Sequence, residues 1–326
     1  MPLLEVSDLK TYFKISRGEI KAVDGVSFTV DSGEALGLVG ESGCGKTTTA
    51  LSVIKLLPEN ARVAGGKIVF NGRDITALKD DDLYDFRWAE ASMVFQGAMN
   101  ALNPVKRVSD QIMEALFLHK KGMTKKDGLA RVKELFELVE LNPSMIHCYP
   151  HEFSGGMRQR AVIAMALALS PKLVIGDEPT TALDVMVQAQ IIDLINSLRA
   201  KLGMALIMIT HDLSVITELC DKTAVMYAGK IVEMGSTVEV TTSYLHPYTE
   251  KLITAFPNIY KERRMVDSIP GDPPDLFEPP KGCRFAERCH VKIGDVCECE
   301  EPVLTDITGK GHYAACHKLT GGGAYV

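Results

Sequence analysis

The stretch Gly40-Glu41-Ser42-Gly43-Cys44-Gly45-Lys46-Thr47-Thr48 decides the fold of this chain. It fits the pattern GxxxxGK followed by Ser or Thr, in which a glycine-rich loop wraps around a polyphosphate. The apolar run 35–39 before it predicts a buried strand, and the periodicity of 48–57 after it predicts a helix that stops at Pro58. The loop therefore falls between a strand and a helix N-terminus, whose N–H groups and dipole favour an anion.

Each residue type in this loop has its own use in phosphate binding. The glycines let the backbone curl around the phosphates and present bare N–H groups to them. Lys46 is expected to reach the β- and γ-phosphates, and the Thr47 hydroxyl is expected to hold Mg²⁺. The predicted nucleotide contacts are Gly40, Glu41, Ser42, Gly43, Cys44, Gly45, Lys46, Thr47 and Thr48.

Composition and charge exclude several classes of protein. The 326 residues suffice for one large α/β domain and something smaller. The net charge of −6 gives no electrostatic footprint for nucleic acid. The N-terminus lacks the pattern of a secretory signal, and the longest apolar run, 161–169, is about half of a membrane span. We therefore expect a cytosolic location, without structural disulfides among the eight cysteines.

Strand and helix patterns alternate through most of the chain. Strand-like stretches, 3–9 and 20–30, precede the glycine-rich loop, and 66–70 follows it. Further strands are predicted at 91–95, 172–176 and 205–210, and helices at 80–88, 108–141, 157–169 and 187–202. This alternation predicts a mostly parallel sheet with helices on its faces.

Polar side chains follow three of these strands. Asp177 and Glu178 end an apolar strand, where an Asp holds Mg²⁺ and the adjacent Glu can deprotonate the attacking water. Gln96 is placed to touch both Mg²⁺ and water, and His211 to hydrogen-bond a γ-phosphate. The structural alternatives are a solvated turn at 177–179, a polar strand end at Gln96, and a core or capping histidine at His211.

A second helix start at 154–157 has the features of an anion site. Ser154 is a natural N-cap, and the two glycines after it leave backbone N–H groups bare. An ordinary capped helix is the alternative. Two anion-binding helix starts in one chain suggest a nucleotide held between two copies of the chain.

The ordered set of motifs resembles the nucleotide-binding subunits of ABC transporters. The motifs are GESGCGKTT at 40–48, Gln96, FSGGMRQR at 153–160, LVIGDEPT at 173–180, TALD at 181–184 and His211. The resemblance implies an ATPase with Mg²⁺ and an α/β fold. That fold has a P-loop NTPase core, an antiparallel β subdomain and a helical subdomain at about 97–170, all within residues 1–256.

The resemblance also implies roles for individual residues. Glu178 is the expected general base and His211 the γ-phosphate contact, with Lys46 and Gln96 completing the catalytic set and Thr47, Gln96 and Asp177 holding Mg²⁺. Ser154 and Gly156 are expected to complete the site on the opposite subunit. An aromatic ring near the N-terminus is expected to stack on adenine; Phe13 fits best, with Tyr12 as the alternative. Met157 stands where Gln is commonest in the family.

Further stretches resemble the oligopeptide and dipeptide importer branch: AVDGVSF at 22–28, ALNPV at 101–105, His246-Pro247-Tyr248-Thr249 and Ile269-Pro270-Gly271. This branch implies two membrane permeases, a second ATPase subunit that is a copy or a paralogue, and an extracytoplasmic solute-binding protein. The chain would then lie on the cytoplasmic face of the membrane, with residues 97–114 gripping a permease helix.

The tail, residues 257–326, differs in composition from the rest of the chain. It contains five of the eight cysteines and seven of the fifteen prolines, and we expect a separate, loop-rich module. A segment of this kind buries too little apolar surface to fold unaided, and a metal is one physical remedy. The spacing Cys-x₅-Cys-x₇-Cys lacks the short Cys-x₂-Cys knuckle of structural zinc sites.

From residue 282 the tail is similar to the C-terminal extension of the peptide-importer branch. In some members the matching positions hold a [4Fe–4S] cluster, which implies a cluster on Cys283, Cys289, Cys297 and Cys316; Cys299 lies off the pattern. Zinc and free thiols are the alternatives. A structural staple is the first role considered, and redox regulation the second.

Two rival functions come from other classes. A soluble ABC ATPase of DNA repair or translation shares the phosphate loop. Such chains usually need a coiled-coil insertion, an internal zinc module or two nucleotide domains, and none is visible here. The other rival is a redox-sensing regulatory ATPase in which the cysteine tail is the working part.

Overall fold

The computed structural model describes residues 1–97, 101–181, 183–255 and 269–320. The chain divides into two compact units, each assembled from separate stretches. The first unit comprises Val30–Ala35 and Ala77–Ile209, together with Met1, and the second comprises Pro2–Thr29, Leu36–Thr76 and Thr210–Val326. The boundary predicted between 256 and 257 and part of the TALD motif lie outside the described residues.

An antiparallel sheet in the second unit has the strand order β2-β1-β4-β5. Its strands are β1 (Leu4–Ile15), β2 (Gly18–Val30), β4 (Ala61–Phe70) and β5 (Arg73–Asp74). Val26, Phe28 and Val30 are buried while the residues between them are exposed. This alternation is typical of an antiparallel sheet with one face on the core and one in solvent. It confirms the predicted antiparallel β subdomain.

The strand before the phosphate loop belongs to a second group of strands in the same unit. β3 (Ala35–Val39) is buried at every position and pairs in parallel with β9 (Lys222–Tyr227). A tight turn at Ala228-Gly229, with positive φ at both residues, joins β9 to β10 (Lys230–Ser236). Two consecutive positive φ angles are what a two-residue hairpin turn requires. The hairpin is an element that the sequence patterns above do not predict.

The tail is not folded apart from the rest of the second unit. Its short strands β11 (Thr305–Asp306) and β12 (Tyr313–Ala314) pair with each other, and β12 pairs with β10. The edge of β10 has backbone groups that need hydrogen-bond partners, and β12 supplies them. The domain boundary predicted at 256/257 stays a prediction.

A buried carboxylate strengthens this attachment of the tail. Glu233 on β10 is fully buried and accepts hydrogen bonds from the amides of Leu245 and His246, at 2.8 and 2.7 Å. Its Oε1 also lies 2.8 Å from Nε2 of His312, a residue of the tail. Burial of a carboxylate is tolerated only when such partners satisfy it.

Helix α1 (Lys46–Val53) begins at the phosphate loop as predicted but ends earlier than Leu57. Lys55 has a left-handed φ of 50°, and the amides of Lys55 and Leu56 donate to the carbonyls of Ser52 and Leu51. This pair of bonds is a Schellman motif, which closes a helix without a proline. The predicted stop at Pro58 is therefore wrong by about one turn.

Short helices complete the second unit. They are α7 (Leu213–Leu219), α8 (Thr237–Thr242), α9 (Pro247–Thr254), α10 (Val296–Cys299) and α11 (His317–Thr320), together with a 3₁₀ turn at Ala286–Arg288.

The first unit contains three adjacent parallel strands. β6 (Ala91–Val94) pairs with β7 (Leu173–Asp177), which pairs with β8 (Ala205–Ile209). β7 and β8 are buried at every position, as expected for strands covered on both faces. The three predicted strands are confirmed, and the carboxyl ends of β6 and β7 meet at one edge.

Helices of the first unit follow the predicted pattern. They are α2 (Asp80–Phe86), α3 (Val108–His119), α4 (Lys125–Leu138), α5 (Gly155–Ala166) and α6 (Val185–Leu202), with 3₁₀ turns at Pro143–His147 and Pro150–Glu152. α3 packs on α4 and α5. Thr124 and Asp127 form a capping box at the start of α4, which separates it from α3. The predicted helical subdomain is therefore present.

No helix in the described ranges is both long enough and apolar enough to span a bilayer.

Candidate nucleotide-binding site

The phosphate loop, residues 40–48, connects β3 to α1 and requires glycine at two positions. Gly40 and Gly45 have φ of 148° and 106°. A Cβ atom at Gly40 would lie 2.1 Å from the carbonyl oxygen of Met226, and one at Gly45 would lie 2.4 Å from that of Ala22. Backbone this close leaves no space for any side chain. The glycines therefore let the loop pack on its neighbours while it keeps its turn.

The side chain of Lys46 is folded back onto the loop. Its Nζ donates to the carbonyl oxygens of Gly40 and Glu41, at 2.7 and 2.9 Å, and the residue is buried. Both acceptors are neutral. A charged phosphate oxygen makes a stronger hydrogen bond to an ammonium group than a neutral carbonyl does. Lys46 is thus held in the loop by partners that a phosphate can replace.

The start of α1 exposes the positive end of a helix. Gly45 occupies the N-cap position and has no side chain to satisfy the first-turn N–H groups. Thr47 lies in that first turn with its side chain exposed. This is the arrangement in which backbone N–H groups bind an anion and a hydroxyl is accessible to a cation.

Cys44 has a packing role in the phosphate loop. Its carbonyl accepts a hydrogen bond of 2.9 Å from the amide of Gly229, which ties the loop to the β9–β10 turn. Burial raises the pKa of the Cys44 thiol above its ordinary value. A thiol that stays protonated is a poor nucleophile, so we expect Cys44 to react slowly with oxidants and alkylating reagents.

The two aromatic candidates for adenine stacking differ in their surroundings. The Tyr12 hydroxyl donates to Oδ1 of Asp24 at 2.7 Å, and burial together with that bond raises the pKa of Tyr12 to about 12. Phe13 is half-buried on β1, opposite Ala61. The Tyr12 side chain is already fixed by its hydrogen bond to Asp24, so Phe13 remains the preferred candidate for stacking on adenine.

In the first unit, the polar residues at the ends of β6 and β7 meet. Gln96 Nε2 donates to Oε2 of Glu178 at 2.8 Å, across 82 positions of sequence. Asp177 is the last residue of β7 and is only 4% exposed. The structure therefore brings Gln96, predicted to touch Mg²⁺ and water, into contact with Glu178, the predicted base, which directly follows the buried Asp177.

Glu178 has a strained backbone. Its φ is 47°, in the left-handed region that few residues other than glycine adopt. The strain persists because the Glu178 amide donates to the Ile209 carbonyl at 2.8 Å, and because the Thr181 hydroxyl donates to its carboxylate at 3.0 Å. Such outliers concentrate at functional sites, where the surrounding structure over-determines the conformation.

The turn at Ser154 is built as predicted. Ser154 Oγ accepts a hydrogen bond of 3.3 Å from the amide of Met157 and caps α5. A Cβ atom at Gly156 would lie 2.8 Å from Cγ1 of Val187, so α6 approaches the helix start closely. Met157 enters the cap through its backbone N–H, which any residue type except proline could supply.

His211 lies in the loop that follows β8, with an exposed side chain. It belongs to the second unit, as Lys46 and Thr47 do. Its predicted contact with a γ-phosphate stays a prediction.

The tail cysteines are neighbours within the second unit. Burial, with further contributions from nearby thiols, raises the pKa of Cys283 to about 12; those thiols belong to Cys289, Cys316 and Cys297. Cys299 is exposed. Within the described ranges, no group of three or more His, Cys, Asp and Glu side chains is positioned to hold a metal ion. The four thiols are close enough to interact but not at ligand spacing.

Two residues that contact the phosphate loop, Tyr248 and Arg288, have no predicted role in the site. The Tyr248 hydroxyl accepts a hydrogen bond of 2.8 Å from the amide of Glu41. Arg288, in the tail, makes a two-pronged ion pair with the carboxylate of Glu41, at 2.6 and 2.9 Å. The stretch at 246–249 does mark Tyr248. No local pattern marks Arg288, whose partner lies 247 positions away.

Two protein families match separate parts of the chain. The ABC transporter family matches residues 23–181, and the family described as "Oligopeptide/dipeptide transporter, C-terminal region" matches residues 232–297. The first match contains the phosphate loop, the Ser154 turn and the Asp177-Glu178 pair. The second contains three of the tail cysteines.

Curated relatives align along nearly the whole chain. The oligopeptide transport ATP-binding protein OppD of Salmonella typhimurium is 45% identical, with 97% of this chain and 93% of OppD covered. The dipeptide transport ATP-binding protein DppD of Bacillus subtilis is 44% identical, with 96% and 94% covered.

Solved structures agree on the fold. A dimeric bacterial ABC transporter cassette, MJ0796, has a TM-score of 0.65 and 25% identity over 72% of this chain and 98% of its own. The same cassette in a post-hydrolysis state bound to ADP and Pi has a TM-score of 0.64, with 25% identity over 72% of this chain and 98% of that one. The fold and the site together define an ABC-type ATPase. The chain belongs to the ABC transporter ATP-binding proteins, in the branch with the oligopeptide/dipeptide C-terminal region.

Proposed function

We propose that this chain is the ATP-hydrolysing subunit that powers import of di- and oligopeptides through a membrane ABC transporter. The observation that carries the proposal is similarity to OppD and DppD along nearly the whole chain, tail included. A shared phosphate loop alone would support only nucleotide binding. The rivals in DNA repair and translation have no comparable observation in their favour.

ATP binding is assigned to the phosphate loop and α1. The loop amides and the ammonium of Lys46 bind the phosphates, and Phe13 stacks on adenine. Thr47, Gln96 and Asp177 offer hydroxyl, amide and carboxylate oxygens, the hard donors that Mg²⁺ prefers. When bound, the ion neutralises charge on the phosphates. The fit of these residues to Mg²⁺ rests on donor chemistry, with the carboxylate of Asp177 already buried.

Hydrolysis is assigned to the Gln96–Glu178 pair. Glu178 accepts a proton from the attacking water. Gln96 donates a hydrogen bond to the Glu178 carboxylate and so orients the carboxylate and the water. The constrained backbone of Glu178 fixes the direction of its side chain. His211 donates to the γ-phosphate as its negative charge is redistributed.

The opposite face of the nucleotide is assigned to a second ATPase subunit, either a copy of this chain or a paralogue. Ser154 and Gly156 of that subunit present the N-terminus of α5 to the γ-phosphate. Closure of the two subunits on ATP and their reopening after hydrolysis would drive two permease subunits.

The permease contact is assigned to the helical subdomain. Phe117 and Leu118 on α3 are 40% and 51% exposed and lie beside an open groove that Met113 and Lys125 also line. Exposed apolar side chains in a groove suit docking of a helix. The groove overlaps the end of the predicted stretch 97–114, at Met113, and extends beyond it to Lys125; residues 98–100 of that stretch lie outside the described residues. Such docking places the chain on the cytoplasmic face of the membrane, with the solute-binding protein on the other side.

Reconstitution tests the proposed substrate class. The chain is assembled in lipid vesicles with two candidate permease subunits and a candidate solute-binding protein from the same organism, and ATP hydrolysis is measured. We expect hydrolysis to rise when the binding protein carries a peptide, and not when it is supplied with a free amino acid, a sugar or a nickel salt. Stimulation by one of those solutes and not by peptide would exclude peptide import.

We also propose that Cys283, Cys289, Cys297 and Cys316 hold a [4Fe–4S] cluster that staples the tail. The proximity of the thiols supports this, since Cys289, Cys297 and Cys316 all lie near enough to Cys283 to act on its pKa. Four thiolates are the ligand set of such a cluster. Cluster binding requires the thiols to move closer together than they lie here.

Metal analysis distinguishes the alternatives for the tail. In anaerobically purified protein we expect close to four iron and four acid-labile sulfide per chain. Cys289→Ser is expected to lose both, while Cys299→Ser, which alters the exposed cysteine off the pattern, keeps them. One zinc per chain without sulfide would replace the cluster by a zinc site. A folded tail with no metal at all would remove the proposal.

A further inference from the structure

A carboxylate at the start of the phosphate loop presents an electrostatic problem. Glu41 is the second residue of the loop, and its carbonyl accepts the Lys46 ammonium at 2.9 Å. An unpaired negative charge at this position would repel the polyphosphate that the loop binds. Its side chain is 26% exposed, so water screens it only in part.

Arg288 of the tail compensates this charge. Its two terminal nitrogens donate to the two carboxylate oxygens of Glu41, at 2.6 and 2.9 Å. Only 5% of the arginine side chain is exposed. A buried, two-pronged pair of this kind both neutralises and orients the carboxylate.

The guanidinium is itself fixed on every side. Its Nε donates to the carbonyl of Pro270 at 2.8 Å, and a terminal nitrogen donates to the Tyr227 hydroxyl at 3.2 Å. Its carbon lies 5.7 Å and 6.0 Å from the ring centres of Tyr227 and Phe285, within cation–π range. Arg288 therefore cannot turn away from Glu41 without losing several other contacts.

The same aromatic cluster reaches the backbone of the loop. The rings of Tyr227 and Tyr248 are 4.6 Å apart, and Phe285 of the tail lies 5.4 Å from Tyr248. Tyr248 in turn accepts the amide hydrogen of Glu41. The tail thus holds Glu41 twice, by its carboxylate directly and by its amide through Tyr248.

We propose that Arg288 is a positioning residue for ATP binding: by pairing with Glu41 it makes the affinity of the phosphate loop depend on the cysteine-bearing tail. Arg288 directly precedes Cys289, so the docking of the tail and the charge balance of the loop are linked in one segment. The inference rests on the proposed binding of ATP by residues 40–48.

The test measures the Kd of the full-length chain for Mg–ATP by calorimetry. Arg288→Gln is expected to weaken binding roughly tenfold, because it leaves the Glu41 carboxylate unpaired beside the phosphates. Arg288→Lys keeps the positive charge but cannot make the two parallel hydrogen bonds to the carboxylate. Its Kd for Mg–ATP is expected to fall between those of the wild type and Arg288→Gln. Adding Glu41→Gln to Arg288→Gln is expected to restore most of the affinity, since the unpaired charge is then gone.

His312→Ala is the matched control. It removes a different buried contact between the tail and the rest of the second unit, the one between His312 and Glu233. Glu41 and Arg288 are left unchanged. We expect it to lower the melting temperature without changing the Kd for ATP.

Three results would overturn the inference. They are an unchanged Kd in Arg288→Gln, no recovery in the double variant, and an equal loss in His312→Ala. A further variant, Lys46→Gln, shows whether such a result contradicts only the role of Arg288 or also the proposed binding of ATP by residues 40–48. If Lys46→Gln binds ATP as the wild type does, residues 40–48 are not the nucleotide site.

Discussion

Replacing Glu178 by Gln is expected to lower the kcat for ATP hydrolysis by about 10²- to 10⁴-fold, the usual contribution of a general base. The amide has the shape of the carboxylate but cannot accept the proton of the attacking water. Its oxygen can still accept the hydrogen bond from Gln96 Nε2, so the local geometry should survive. Steady-state phosphate release from the purified chain or the assembled transporter measures the effect.

Binding must be measured in the same variant. We expect the Kd for ATP to change little, because Glu178 acts on water and not on the nucleotide in the ground state. Glu134→Gln makes the same chemical change at an exposed position of the first unit and should hydrolyse ATP normally. A kcat for Glu178→Gln within threefold of wild type would remove the assignment of Glu178 as the base.

Replacing Lys46 by Gln is expected to weaken ATP binding by about tenfold to 150-fold, the equivalent of ~1.5–3 kcal/mol for a lost hydrogen bond to a charged group. The hydrogen-bond partners of the ammonium are neutral: the carbonyls of Gly40 and Glu41 and the sulfur of Cys44. Its strongest interactions therefore form when phosphate arrives, so their loss falls mainly on the bound state. Calorimetric titration with Mg–ATP measures the change.

Lys55 provides a control for this variant. Its Nζ also donates to a backbone carbonyl, that of Thr76 at 3.0 Å, but it lies beyond the end of α1. Lys55→Gln should bind ATP as the wild type does. Equal losses in Lys46→Gln and Lys55→Gln would mean that general destabilisation, and not a phosphate contact, explains the effect.

The patterns around the phosphate loop were predictable because they are local. β3 is a continuous buried apolar run, and the glycines, Lys46 and Thr47 follow it directly. Gln96 and Glu178 both follow strands of a predicted parallel sheet, whose carboxyl ends share an edge, and a hydrogen bond joins their side chains there. Their roles toward Mg²⁺ and the attacking water stay predictions.

Other features depend on contacts that no local pattern records. The pairing of β12 with β10 joins two short stretches about 80 residues apart, through backbone groups that carry no sequence signature. The ion pair between Glu41 and Arg288 depends equally on how the tail packs. The early end of α1 depends on the left-handed conformation of Lys55. Lysine has no preference for that conformation, so the sequence does not predict it.

Sharing of one ATP between two ATPase subunits is tested most directly by a structure of the assembled transporter with Glu178→Gln and Mg–ATP. The γ-phosphate is predicted to contact Lys46 of one ATPase subunit and the turn corresponding to Ser154 of the other. If every nucleotide-bound assembly kept that turn far from the phosphates, the proposed mechanism would be contradicted.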